Sequence, residues 1–404
     1  MVPFQERKPM KSIFDIERAR KETRACENIV HFNNAGASLM PIPVSDTLHA
    51  YLHQEEQTGG YETAHDEAAL LNNFYTAAAR MLHCQTDELA FVENATRAWD
   101  MAFYSFKFAP GDKIVTTIAE YGSNVIAYNQ QAKRYGVEIV FVPNDQHGQI
   151  DTRALENLID DRVKLISITH IPTGGGLVNP AAAVGKIAQS ARIPFLLDSC
   201  QGVGHIPLDV AALGCDILCG TGRKYLRGPR GTGLLYVRQS LIERLEPPFL
   251  DQHAATLLSP TTYQIRSDAK RFENWEQYVA GKAALGTAID YALSFGLDAI
   301  QARIYALAAT LRARLNHLDG VAVKDEGVEL CGLVTFTARQ LSAAEIKRRL
   351  RKQRINVSTS DGSGNLISFQ QRGLKEVVRA SLHYYNTEQE IDYFIDTLRT
   401  ILAK

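Results

Sequence analysis

A chain of 404 residues is longer than one ordinary core of roughly 100–200 residues, so we expect two or three domains, or one large α/β domain with an appendage. Its composition, 45% apolar and 22% charged, is typical of a soluble globular protein, and the formal net charge of −1 provides no field that would recruit nucleic acid or an anionic membrane. Six scattered cysteines without a C-x-x-C pair indicate neither a zinc site nor a redox dithiol, which favours reduced thiols in a cytoplasmic protein without a metal. No signal peptide is evident, and no apolar stretch approaches the roughly 20 residues that span a bilayer.

The first two thirds of the chain alternate amphipathic segments with short apolar runs, after a charged stretch before Cys26 that is predicted to be a surface helix. The segments with helical periodicity are 68–82, 125–135, 152–159 and 180–190. The apolar runs, each of strand length, are 114–118, 138–142, 165–169, 195–197, 217–219 and 233–237. This alternation predicts right-handed βαβ units and a mostly parallel sheet, which binds ligands at the carboxyl ends of its strands.

The pattern changes after residue 240. Residues 244–260 are irregular, and two long helical patterns follow at 275–295 and 298–318. The tail alternates again, with predicted strands at 330–337, near 356 and at 377–383, and predicted helices at 343–353 and 388–402. Because the basic run 347–352 falls in one of these helices, we interpret it as a solvated helix face and not as a nucleic-acid site.

The window 194–237 carries the chemistry. Asp198 ends an apolar run, where an ionised carboxylate is costly without a cationic partner such as a protonated pyridine nitrogen; the alternative is a cap of the next helix. Further on, Lys224 lies in a Gly-flanked turn, where desolvation can turn its amine into a Schiff-base nucleophile. Thr221 and Arg223 beside it are suited to hold a phosphate. The alternative for this turn is a basic surface loop.

The order of these motifs resembles the class V aminotransferase group of fold-type I pyridoxal 5′-phosphate (PLP) enzymes. That group includes cysteine desulfurases, selenocysteine lyases, isopenicillin N epimerase-like proteins and ergothioneine-pathway C–S lyases. The resemblance is carried by D-x-x-Q at 198–201, a cofactor-lysine motif at 221–224 and G-P-x-G-x-G at 228–233, and it extends over 32–393. It implies an α/β fold in which a large domain with a mostly parallel central sheet flanked by helices is joined to a smaller C-terminal α+β domain.

The resemblance also implies the domain limits and the cofactor. An N-terminal segment, 1–30, would pack on the small domain, a large PLP-binding domain would span 31–270, and a long connecting helix with the small domain would span 271–404. PLP would be held as a Schiff base on Lys224, with Asp198 at the ring nitrogen and Gln201 among the cofactor contacts. The protein would be a homodimer that acts on a small amino-acid substrate.

Four further motif positions receive roles from the resemblance. Ala95 and Thr96 open a helix whose N–H groups and dipole would cradle the phosphate, the alternative being an ordinary cap. Tyr121 stands where relatives have a ring-stacking His, and the alternative is a Tyr that covers the sheet edge. Thr173 stands where many relatives have Asn in a loop near the substrate.

Two more positions would bind the substrate. The segment 31–36, with Asn34, resembles the part of the family whose backbone lies near the substrate carboxylate. Arg379 lies in a motif that matches R-x-S-x-H-x-Y-N-T, where the guanidinium clamps the α-carboxylate in two-pronged geometry. The alternative for Arg379 is a surface salt bridge.

Two departures from the family pattern bear on the reaction. The R-F-E at 271–273 is not followed by the Gly-Thr whose hydroxyl reaches the partner's phosphate in relatives, and the segment 356–377 lacks the mobile cysteine of desulfurases. Cys200 is interpreted as too tightly tethered to take its place. We therefore expect β-elimination at a C–S or C–Se bond, through an external aldimine and an α-carbanion, without a persulfide cysteine. An aminotransferase, an epimerase and a non-catalytic PLP-fold protein remain alternatives.

Overall fold

A seven-stranded sheet forms the centre of the structure, a computed structural model that describes residues 14–403. In order across the sheet the strands are Leu89–Val92, Gly233–Val237, Ile217–Thr221, Phe195–Asp198, Val163–Thr169, Lys113–Thr117 and Glu138–Val142. Only Gly233–Val237 runs antiparallel to its neighbours. The predicted α/β fold with a mostly parallel sheet is therefore confirmed.

The central strands are apolar on both faces because helices cover both sides of the sheet. Successive side chains of a strand point to opposite faces, and accordingly Phe195 and Leu197 pack into one core while Leu196 packs into another. The helices that precede, connect or follow these strands are Ile16–Lys21, Ile42–Thr58, Gly60–Asp66, Ala68–Leu82, Ala95–Phe103, Gly122–Tyr135, Thr152–Leu158, Ala181–Ala191, Val210–Leu213 and Gln239–Ile242, with short 3₁₀ turns at Arg24–Glu27, Thr86–Glu88 and Ala269–Phe272.

Two long helices, Val279–Phe295 and Leu297–Asn316, follow the large sheet and meet at a bend of 77°. Within residues 14–403, no single helix is long and apolar enough to cross a membrane, and this bent pair meets that criterion only when its two members are combined. The helix predicted to start at residue 275 starts at residue 279 in the structure, and residues 275–278 are not helical.

The C-terminal part contains a second, antiparallel sheet. In order, its four strands are Val321–Val323, Leu333–Ala338, Val377–Ser381 and Ser358–Ser360. The helices around it are Ala343–Lys352, Leu366–Gln371 and Glu388–Leu402. A short parallel pair, Val30–His31 with Ile355–Asn356, joins the N-terminal region to this part. The division of the chain at residues 30 and 270 stays a prediction.

A few elements differ from the sequence-based expectation. Residues 244–260 are not wholly irregular, because Ala255–Ser259 pairs with Thr262–Ile265 in an antiparallel hairpin. Its side chains are mostly exposed, so the strands lack the apolar alternation that would have predicted them. The helix Ile42–Thr58 was missed for a similar reason, since it buries only Val44 and Tyr51. Of the predicted N-terminal helix, Ile16–Lys21 is observed, and residues 1–13 lie outside the described residues.

Candidate active site

One cavity lies where parallel strands of the large sheet end. Thr169, Asp198 and Thr221 each stand at the carboxyl end of a strand, and all three line it. The cavity has a volume of about 200 Å³ and opens to solvent, so a small molecule can enter it. Of the predicted site residues, all but Asn34 and Arg379 line this cavity.

Lys224 points its amine into the cavity. Its Nζ donates to Cys200 Sγ at 3.4 Å. Burial lowers the pKa of Lys224, and the nearby guanidinium groups of Arg223 and Arg379 act in the same direction. A lysine in such surroundings reaches its neutral, nucleophilic form more easily than one in water.

Asp198 is held by two hydrogen bonds in a buried position, with 5% of its surface exposed. Its Oδ1 accepts from the backbone N–H of Cys200 at 3.0 Å, and its Oδ2 accepts from Asn124 Nδ2 at 3.0 Å. Asn124 Nδ2 also donates to Glu120 Oε1 at 2.9 Å, so one amide group joins two buried carboxyl groups. Neither Glu120 nor Asn124 was assigned a role from the sequence, because their proximity to Asp198 arises only when the strands Lys113–Thr117 and Phe195–Asp198 lie on either side of Val163–Thr169.

Glu120 is an unusual buried carboxyl group. It accepts further hydrogen bonds from the hydroxyl of Thr116 at 2.9 Å and from the backbone N–H groups of Tyr121 and Thr169 at 2.8 and 3.1 Å. Burial nevertheless raises the pKa of Glu120 to about 7, and the neighbouring charge of Asp198 adds to this effect. Its protonation state therefore changes near neutral pH.

This shift predicts a pH dependence of stability. Because the pKa of Glu120 is higher in the folded state than its ordinary value of 4.5, folding favours the protonated form. Its contribution is fully present below that ordinary value and is lost as the pH rises to about 7. We expect Glu120→Gln to remove the corresponding fall in the free energy of unfolding between about pH 5 and about pH 8, measured by chemical denaturation. The exposed Glu156→Gln is the control, and an unchanged slope in Glu120→Gln would contradict the prediction.

The N-terminus of the helix Ala95–Phe103 forms one wall of the cavity. The Asn94 side chain accepts from the N–H of Arg97, whereas no described residue accepts from the N–H groups of Ala95 or Thr96. Gly233 allows this close approach, since a Cβ there would lie 2.8 Å from the carbonyl carbon of Asn94. Free N–H groups at a helix N-terminus favour an anion such as a phosphate.

Thr221 and Arg223 lie beside this wall. Thr221 Oγ1 donates to the carbonyl of Thr232 at 3.4 Å, and Arg223 donates through Nη1 to the carbonyl of Gly36. Both side chains also line the cavity. A hydroxyl and a guanidinium so placed add hydrogen-bond donors and positive charge to the anion site.

Two buried polar atoms near the cavity lack partners among residues 14–403. Gln201 Nε2 donates to the carbonyl of Ala35 at 3.1 Å, but its Oε1 has no donor. Arg379 donates through Nη1 to Thr173, at 3.1 Å to the carbonyl, while its Nε is unpaired. An unpaired buried polar group costs free energy, so a ligand that supplied partners to these two atoms would be stabilised.

The polar groups around the cavity fit the groups that PLP presents. An amine, a buried carboxylate and a helix N-terminus surround one cavity, matching an aldehyde, a pyridine nitrogen and a phosphate in chemical type. Tyr121 also lines the cavity, and the residue is 37% exposed. The chemistry of the donors therefore agrees with the cofactor expected from the motifs.

Asn34 is one of the two predicted site residues that do not line the cavity. Its side chain is fully buried, and its Nδ2 donates to the carbonyls of His31 and Ser381 at 3.0 and 2.8 Å. Its Oδ1 accepts from the hydroxyl of Tyr385. These contacts join the N-terminal segment to the strand that carries Arg379, and a substrate contact by Asn34 stays a prediction.

The chain matches known proteins over nearly its whole length. The family model "Aminotransferase class-V" matches residues 30–394. A probable cysteine desulfurase of Methanothermobacter thermautotrophicus is 26% identical, over 95% of this chain and 98% of that protein. A cysteine desulfurase of Yersinia pestis is 30% identical, over 96% of this chain and 98% of that protein. Among solved structures, the apo cysteine desulfurase of Thermococcus onnurineus NA1 superimposes with a TM-score of 0.89 at 24% identity, covering 96% of this chain and 98% of that one.

These relatives correct the expected reaction. The expectation of a lyase that works without a persulfide cysteine is wrong, because the proteins similar to this chain across almost its full length are named cysteine desulfurases. It rested on the absence of a cysteine from the segment 356–377 and on the assumption that the short tether of Cys200 keeps its thiol from moving. The structure places Cys200 Sγ against Lys224 Nζ. Taken together, the match over residues 30–394 and the donors around the cavity show that the chain belongs to the aminotransferase class-V family and is a PLP-dependent enzyme.

Proposed function

We propose that this protein is a cysteine desulfurase, which removes the sulfur of cysteine or a closely related amino acid and leaves alanine. The observation that carries the proposal is the arrangement of Lys224 and Asp198 in one cavity with the open N-terminus of the helix Ala95–Phe103. The names of the relatives support the choice of substrate class.

The amine of Lys224 is proposed to attach the cofactor and to move protons at the substrate. Its burial, which lowers its pKa, favours both tasks because each requires an unprotonated amine. When bound, PLP supplies an electron sink that stabilises negative charge on the substrate α-carbon. Asp198 would hold a proton at the pyridine nitrogen, and Asn124 would keep its Oδ2 in place through the 3.0 Å hydrogen bond.

The phosphate is proposed to lie at the N-terminus of the helix Ala95–Phe103. The N–H groups of Ala95 and Thr96 are available there, and the helix dipole favours the negative charge. Thr221, the last residue of the strand Ile217–Thr221, and Arg223, two residues further on, would complete the anion site. Gln201 would place its unpaired Oε1 against a donor of the bound cofactor or substrate.

The substrate carboxylate is proposed to bind Arg379. Thr173 holds one Nη group of this guanidinium, which leaves the buried Nε edge for a carboxylate in two-pronged geometry. A buried guanidinium without a carboxylate partner is costly, and a substrate carboxylate would relieve that cost. Tyr121, on another side of the cavity, would place its ring against the face of the pyridine.

An oligomeric state and a cellular location are proposed as well. A homodimer would bury the exposed apolar side chains of the hairpin, Leu257, Leu258 and Tyr263, which are 65%, 62% and 53% exposed. A cytoplasmic location agrees with six free cysteines, since thiols stay reduced in that compartment.

The proposed function is tested by the products formed from a set of amino acids. The purified PLP-loaded enzyme is incubated with L-cysteine, L-cystine, L-selenocysteine and L-alanine, with and without dithiothreitol, and alanine, pyruvate, ammonia and sulfide are measured together. We expect alanine and, with the reductant, equimolar sulfide from L-cysteine. Keto-acid exchange in the absence of any alanine from cysteine would overturn the proposal in favour of transamination, and pyruvate with ammonia as the only carbon and nitrogen products would overturn it as well.

A further inference from the structure

The cysteines differ sharply in their access to the cavity. Among the described residues, Cys200 is the only cysteine in its lining. Four others are buried in the packed interior, and Cys84 is partly exposed but lies outside the cavity; the four are Cys26, Cys215, Cys219 and Cys331. A substrate in the cavity therefore meets one thiol.

Cys200 also has reactive neighbours. Its Sγ accepts from Lys224 Nζ at 3.4 Å, and its backbone N–H donates to Asp198 Oδ1 at 3.0 Å. The next residue, Gln201, is 2% exposed, also lines the cavity and has an unpaired Oε1. Residues with a thiol, an amine and an unpaired acceptor thus line one ligand-sized space.

The segment that follows residue 356 contains no competing thiol. It carries Ser358, Thr359 and Ser360, and its turn is anchored beside the cavity, where the carbonyl of Gly364 accepts from Gly122 N at 3.0 Å. Asn365 Nδ2 also donates to the carbonyl of Glu120 at 2.9 Å. Hydroxyl groups do not accept sulfane sulfur, so the acceptor has to come from another part of the chain.

We infer that Cys200 is the thiol that accepts sulfur from the substrate. This inference rests on the proposed desulfurase function and names the acceptor residue for that reaction. Because Cys200 is held at the end of a strand by the hydrogen bond to Asp198, its sulfur stays inside the cavity. The second acceptor that removes the sulfur must therefore be a small thiol able to enter.

The step balances with the residues present. The thiol proton of Cys200 passes to the amine of Lys224, the thiolate attacks the substrate sulfur, and an S–S bond forms as the substrate Cβ–S bond breaks. The electron pair of the broken bond remains on carbon, and Lys224 returns the proton that completes the methyl group of alanine. Cysteine plus the Cys200 thiol thus gives alanine plus a Cys200 persulfide; carbon is reduced and the two sulfur atoms are oxidised.

Lys224 provides for the deprotonation. Burial raises the pKa of Cys200, and the positive charge of Lys224 opposes that rise. Burial also lowers the pKa of Lys224, and its Nζ lies 3.4 Å from the sulfur, so this amine is placed to take the thiol proton.

The inference is tested by a single-turnover experiment without reductant. The PLP-loaded enzyme is mixed with L-cysteine, alkylated and digested, and the persulfide is located by mass spectrometry. We expect about one alanine per site and a persulfide on Cys200, and at least ~100-fold less alanine from Cys200→Ala and Cys200→Ser. Both variants should retain the absorbance of bound cofactor and the exchange of the substrate α-proton with solvent deuterium, which do not require the thiol.

Cys84→Ala is the matched control, because it removes a partly exposed thiol outside the cavity and should give wild-type alanine and persulfide. Alanine at the wild-type rate from Cys200→Ala, or a persulfide on another cysteine, would overturn the assignment while leaving the desulfurase function standing. A wild-type enzyme that forms no alanine from cysteine would overturn the proposed function itself. With excess substrate, small thiols such as 2-mercaptoethanol should restore multiple turnover; failure to do so would also count against Cys200.

Discussion

Replacement of Lys224 by alanine is expected to reduce turnover of cysteine by about 10⁴-fold or more, the largest effect of any substitution in this chain. The amine is the only lysine group that lines the cavity among residues 14–403, and it is proposed to combine cofactor attachment with proton transfer. A residual rate is possible only through a free amine from solution. Absorbance of the lysine-bound cofactor should vanish in the variant.

Borohydride reduction of the wild-type enzyme, followed by peptide mapping, measures the attachment directly. The pyridoxyl group should be found on Lys224. Lys186→Ala is the control, since this exposed lysine lies on the helix Ala181–Ala191, away from the strand ends. A pyridoxyl group on Lys282 or Lys270 would refute the assignment.

The sequence was sufficient for the fold and for most of the cavity lining. The strands 138–142 and 233–237 and the helices 68–82 and 388–402 have the predicted limits because their apolar periodicity reflects burial on one or both sides. Ordered motifs located Lys224, Asp198 and the helix start at Ala95, since each lies next to a strand end or helix end that sequence punctuation marks.

Contacts between distant segments were not predictable in the same way. Glu120 and Thr169 are separated by 49 positions and meet because their strands are neighbours in the sheet. Asn34 was assigned to the substrate, although its amide joins two backbone carbonyls in the interior. No local pattern distinguishes an asparagine that binds a ligand from one that binds the chain, because both uses need the same donor and acceptor groups.

Cys200 shows a related limit. Its spacing from Asp198 was visible in the sequence, yet the direction of its side chain was not. The short tether of Cys200 to the strand end counts against a role as sulfur acceptor only if such an acceptor must move. With Sγ 3.4 Å from Lys224 Nζ, a fixed thiol lies beside the amine that is proposed to bind the cofactor.

Asp198→Asn is expected to lower kcat by about 10² to 10⁴-fold while leaving the fold intact. The asparagine keeps the shape of the side chain, and its Oδ1 can still accept from the N–H of Cys200, a bond of 3.0 Å in the wild type. It removes the negative charge, however, and without that charge a proton is no longer held at the pyridine nitrogen. Asp198→Ala should show the same loss of rate with an added loss of thermal stability, because two hydrogen bonds disappear.

The decisive readout is spectroscopic as well as kinetic. Cofactor binding should survive in Asp198→Asn, because the phosphate site at Ala95 and Thr96 and the amine of Lys224 are untouched, but the pH titration of the cofactor absorbance should shift. Asn124→Ala provides an intermediate case, since it removes the 3.0 Å hydrogen bond to Oδ2 and leaves the charge of Asp198 in place. A smaller loss of rate is therefore expected from Asn124→Ala than from Asp198→Asn. Near-normal kcat in Asp198→Asn, with an unshifted absorbance titration, would show that the buried carboxylate acts only in packing.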